Sequence, residues 1–102
     1  MKQGKGGDAR TIRIVSPPAD TVLTGPVVFE AAATGQDLSK VEFYVDGEFL
    51  AIEKGAPYVA LGDDRTWNTR QVKNGPHILS ATVTFWEGDS ITVTQTNRVA
   101  NH

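Results

Sequence analysis

Cysteine is absent from the chain, and histidine occurs only at His77 and His102. Thiolate metal sites, cysteine nucleophiles and disulfides are excluded together. A hydrolytic site needs a nucleophile, a base and an orienting group in one pocket, or two carboxylates across a cleft. With no Gly-x-Ser-x-Gly or His-Glu-x-x-His pattern either, the chain reads as non-catalytic and without a cofactor. No apolar run approaches the roughly 18 to 20 residues that span a bilayer, so no membrane insertion is expected. Met1 to Gly7 has a basic start, with Lys2 and Lys5, but lacks the apolar stretch of a signal peptide. A charge excess of one sign is missing too. Ten Lys and Arg stand against twelve Asp and Glu, with a net charge of −2 and no basic run. Nucleic acid, which is held largely by clustered cations, is not an expected partner.

What is present is β-branched and alternating. The 102 residues, 39% of them hydrophobic, suit one domain that folds without a metal or disulfide. Residues 1–10 read as a flexible polar lead-in, 11–99 as the domain and 100–102 as a tail. Thr11 to Val15 alternates and stops at Ser16-Pro17-Pro18, which predicts an edge strand. Val27 to Thr34 would place Val27, Phe29, Ala31 and Ala33 on one face. Lys40 to Val45 turns Val41, Phe43 and Val45 inward and Glu42 and Tyr44 outward. Asp46-Gly47 then supplies a two-residue hairpin turn into Glu48 to Ile52. Tyr58 to Leu61 is a further short strand. His77 to Trp86 is the long central strand, with Leu79, Ala81, Val83 and Phe85 on one side and Ser80, Thr82, Thr84 and Trp86 on the other. Ser90 to Thr96 follows, with Ile91 and Val93 inward. About seven short strands, each apolar on one face, call for an antiparallel sandwich.

Four blocks in order, Lys40-Val41-Glu42-Phe43-Tyr44-Val45-Asp46-Gly47, Ala56-Pro57-Tyr58, Trp67-Asn68-Thr69 and Asn74-Gly75-Pro76-His77-Ile78-Leu79-Ser80-Ala81, resemble the bacterial Ig-like domains of secreted multidomain proteins. The resemblance runs from about Ile12 to Val99 and departs most over Val59 to Thr66. It implies an all-β immunoglobulin-like sandwich without the inter-sheet disulfide, and a secreted or cell-surface setting. It further implies neighbouring domains of a parent protein as partners, and a monomeric accessory module, a spacer with a role in glycan contact. In that family Trp67 is a framework residue. Two other functions stand beside the spacer: a dedicated carbohydrate-binding module, and an adhesive domain that uses an unpaired edge strand.

The outward parity of Tyr44 and Trp86 carries the glycan reading. Strands C, F and G of such a sandwich share a sheet, so Tyr44, Trp86, Thr82, Thr84, Thr92 and Thr94 would share a face where rings and hydroxyls suit a sugar. Trp86, Tyr44 and Thr84 are the candidate contacts, with polysaccharide as partner, and Trp67 joins them if its loop is exposed. His77 is expected to tie down the preceding loop. No metal site is expected. Of the turn acids, Asp63 and Asp64 are the pair best placed for calcium.

Overall fold

Alternation along the strands sets the architecture of the computed structural model, which describes residues 9–62 and 65–102. The strands in chain order are β1 (Thr11–Ser16), β2 (Val22–Leu23), β3 (Pro26–Val27), β4 (Glu30–Thr34), β5 (Leu38–Val45), β6 (Glu48–Glu53), β7 (Tyr58–Val59), β8 (Trp67–Asn68), β9 (Gly75–Phe85) and β10 (Ser90–Val99). They form a five-stranded sheet in the order β2-β10-β9-β5-β6, a three-stranded sheet β1-β4-β7 and the small pair β3-β8. Each long strand has one apolar face, and burying those faces against each other yields a sandwich. β2 runs parallel to β10, so the chain leaves one sheet after β1 and joins the other. The run from Val27 to Thr34, expected as one strand, is split: Val27 pairs with Trp67, and pairing with β1 resumes at Glu30.

Val41, Phe43, Leu79, Ala81 and Val83 are fully buried and Phe85 nearly so, as the alternation requires. Phe29 meets Phe43 edge-on at 4.9 Å between ring centroids and Trp67 at 6.4 Å. Ile91 lies opposite Val83 yet remains 37% exposed, because β10 borders the sheet there. Asp46 and Gly47 both have positive φ, 55° and 82°, the geometry of a tight hairpin turn. Gly35 is held at φ 143° where a Cβ would stand 2.6 Å from the Phe85 ring.

Both ends of the domain reach further than the sequence suggests. Arg10, assigned above to the lead-in, pairs with Asp37 (2.6 Å), Asp89 (3.1 Å) and Glu87 (3.3 Å) and lies 4.3 Å over the Phe85 ring. The Ala9 carbonyl accepts from the Thr34 hydroxyl. Residues 1–8 of that lead-in lie outside the described residues. The supposed tail is also tied in: the Ala100 amide donates to Leu23, and Asn101 exchanges hydrogen bonds with Asn74 at 2.6 and 2.7 Å. The Asn101 side chain accepts from the Gly25 amide and donates to the Thr69 hydroxyl. β9 and β10 are antiparallel, with Thr84 opposite Ser90 at one end and Gly75 opposite Val99 at the other. Arg10 is bound at the first of these ends and Asn101 at the second, so the chain enters and leaves at opposite ends of the sandwich.

Candidate functional site

The outer face of the five-stranded sheet is a grid whose rows follow from strand register. Tyr44 lies between Ser80 and Phe49, with Thr94 beyond Ser80. The next row holds Ile52, Glu42, Thr82 and Thr92, and the one after it Lys40, Thr84 and Ser90. The Thr82 and Thr92 hydroxyls share a hydrogen bond of 2.7 Å. Trp86 follows at the end of β9, 76% exposed, its amide bonded to the Asp37 carbonyl. A groove of about 440 Å³ beside it is lined by Leu38, Ser39, Lys40, Ile52 and Lys54.

Tyr44 and Trp86 thus share a face but do not adjoin. Six residue steps of extended chain, from Ser80 to Trp86, separate Trp86 from the row of Tyr44, a distance of about 20 Å. The structure gives two aromatic spots: Trp86 in its groove, and Tyr44 packed edge-on against Phe49 at 6.0 Å. Partial burial and the neighbouring Glu42 carboxylate raise the Tyr44 hydroxyl above its ordinary pKa. Thr84 sits between the spots, beside Lys40.

Trp67 does not belong to this face. It is 2% exposed, held by pairing with Val27 and packed on Phe29, because its ring fills the space between the layers. As a ligand contact it is therefore corrected to a core residue. Asp63 and Asp64 lie outside the described residues. Phe49, Ile52, Lys40 and Lys54 were not singled out by sequence. Phe49 is brought to the outer face by a register shift: Phe43 pairs with Ala51 but Tyr44 with Phe49, leaving Leu50 as an extra residue. A second shift, between Leu38 and Lys40, brings Lys40 opposite Thr84. Neither bulge has a glycine or proline to mark it.

At the opposite end, His77 clamps the β5–β6 turn to the loop before β9. Its Nδ1 lies 2.5 Å from Asp46 Oδ2 and its Nε2 2.6 Å from the Lys73 carbonyl. The Lys73 carbonyl and the ionised Asp46 carboxylate both accept, a pair of partners that the protonated ring satisfies with both nitrogens. The hydrogen bond to Asp46 is the main reason that its pKa is raised, against burial, with the Lys73 carbonyl adding to the rise. Burial pushes the Asp46 carboxyl up, but the His77 ring and the Ile78 amide outweigh it and hold the group below its ordinary value.

The sequence profile of a bacterial Ig domain family matches residues 11–81. No curated protein matches the chain. Among solved structures it is similar to the fibronectin(III)-like modules of Clostridium thermocellum CbhA, with TM-score 0.73 and 22% identity over 87% of this chain and 94% of that one. It also resembles part of the endo-beta-1,4-mannanase from Thermotoga petrophila, with TM-score 0.74 and 14% identity. That match covers 92% of this chain but 20% of the mannanase chain. At these identities the likeness is one of fold. Both neighbours are modules or parts of larger proteins, and sandwich domains of this kind are typically non-catalytic.

Proposed function

The chain belongs to the bacterial Ig domain family, and from that premise we propose that it is a non-catalytic spacer module of an extracellular multidomain protein, holding its neighbours apart and touching glycan with its outer sheet face. The observation that supports the spacer reading is the anchoring of Arg10 and Asn101, near the first and last of the described residues, at opposite ends of one sandwich. A force arriving at β1 enters the three-stranded sheet and one arriving at β10 the five-stranded sheet, and the two sheets close on one shared core. With β10 ten residues long, the β9–β10 ladder spans about 33 Å.

Absence of cysteine makes the test direct. Spin labels on Ala9→Cys and His102→Cys, at exposed positions at the two ends, should give one narrow distance, the same in the isolated chain and with folded domains fused to its ends. A broad distribution, or one that changes with the fused partner, overturns the spacer reading. Glycan contact is supported by a separate observation, the 76% exposure of Trp86 on a face that also offers Thr84, Tyr44 and Phe49. The mannanase neighbour is an enzyme that acts on polysaccharide, a setting in which an accessory domain with such a face has a use.

A further inference from the structure

The groove beside Trp86 is lined by positive charge on a chain that is acidic overall. Its two charged lining residues are Lys40 and Lys54, on a protein whose net charge is −2. The acids nearest in sequence are turned elsewhere. Asp37, Glu87 and Asp89 are gathered by the Arg10 guanidinium, which lies over the Phe85 ring, although Glu87 and Asp89 stay largely in water. Glu53 lies opposite the inward-facing Val41. Glu42 is on the outer face, but its contact with Lys40 is long, 3.9 Å, and leaves ammonium donors for another acceptor.

From this we infer that the groove binds an acidic polysaccharide, a chain bearing uronate carboxylates, with the Trp86 indole stacked on a sugar ring and Lys40 and Lys54 paired with its carboxylates. The inference rests on the glycan-contact part of the reading above and names the class of glycan. Three features select this occupant. β9 and β5 are paired on both sides, so above them an added peptide strand gains no ladder, and the unpaired edge of β6, which carries Ile52, lies on the side away from β5 and β9. Two lysines on an acidic chain release too few counterions to hold a nucleic acid. A broad exposed indole flanked by the hydroxyl-bearing Ser39 and Thr84 suits a ring that presents C–H bonds on its face and hydroxyls at its rim.

Tryptophan emission reports on this site, because Trp67 is buried and Trp86 is not. Titration with polygalacturonate should shift the emission, and the effect should fade as salt is raised. Trp86→Ala and the double variant Lys40→Gln/Lys54→Gln should each weaken retention in polygalacturonate affinity gels by about tenfold or more, with unchanged Tm. If neutral mannan binds as well and without salt dependence, the acidic class is overturned while glycan contact stands. If neither polymer is retained, both fall, and the spacer reading remains with its own distance measurement. Equal retention of Trp86→Ala and the parent on polygalacturonate would reduce the effect to charge alone and overturn the site.

Discussion

His77 has both ring nitrogens committed, to Asp46 and to the Lys73 carbonyl, and its pH dependence follows from that. Its pKa lies above the ordinary 6.5, so its contribution is complete below 6.5 and is lost as pH rises through the folded-state value, where the native state holds a proton that the unfolded chain has released. Asp46 works in the other direction. Its pKa lies below the ordinary 3.8, so its contribution is present above 3.8 and vanishes as pH falls through the lowered value. The clamp is therefore strongest between these limits. His77→Ala should cost about 1–2 kcal/mol at pH 6, at the low end for a charge-assisted bond because Asp46 is partly in water. The difference between parent and variant in urea unfolding should shrink above the raised value. A difference constant from pH 6 to 9 would show that the ring acts through packing alone. Gly35 makes a second residue-scale case. An added Cβ would meet a Phe85 ring that is 1% exposed and cannot step aside, at a backbone angle unfavourable to side chains. Gly35→Ala should lose about 2–4 kcal/mol, read as a Tm fall of roughly 10 °C or more.

At the scale of elements, β10 shows where alternation stops being informative. Its inward residues run Ile91, Val93, Gln95, Asn97 and Val99, and the two amides look misplaced until the Ser16–Thr21 segment is set beside them. Pro17 and Pro18 have carbonyls that still need donors. Gln95 donates to Pro17 at 2.7 Å, and Asn97, 1% exposed, donates to Pro18 and to Thr21 at 2.9 and 3.0 Å. Asn97→Leu keeps the branched four-atom side chain and removes the donors, so stability should fall by about 2–3 kcal/mol, measured by denaturant midpoint at unchanged m-value. A neutral result would mean that water replaces the amide. The inward faces of β5 and β9 were legible because their two sides differ in polarity over most of their length, Ile78 being an outward exception. The β6 side of the candidate site was not. A single extra residue at Leu50 decides whether Phe49 faces the core or Tyr44, and a bulge is set by the packing of the neighbouring strands, which local sequence does not contain. Lys40 and Lys54 escaped notice for a related reason: lysines on separate strands become one charged groove only after pairing.

Across the whole molecule, the sandwich was legible in about seven alternating runs and the turns between them, whereas the fastening of its ends was not, because Arg10 and Asn101 find partners far along the chain. That fastening distinguishes a spacer from a domain on loose tethers, and it separates into two independent parts. Arg10→Ala removes the cation that holds Asp37, Glu87 and Asp89 together, and leaves three carboxylates to repel one another at the β1 end. Asn101→Ala deprives the Gly25 amide of its acceptor and the Thr69 hydroxyl of a donor at the other end, while the main-chain bonds to Asn74 persist. Native-state hydrogen exchange should locate each loss: faster exchange from Thr11 through Arg13 in the first variant, and at Gly25 and Thr69 in the second, with Val41, Leu79 and Val83 protected as before in both. High salt should reproduce the first pattern in the parent protein and leave the second untouched, since only the first rests on partly exposed charges. The distance between end labels should widen in either variant and most in the double one. Were exchange instead to rise uniformly through β5 and β9, the end contacts would be supports of the core, and rigidity at the ends would need another source.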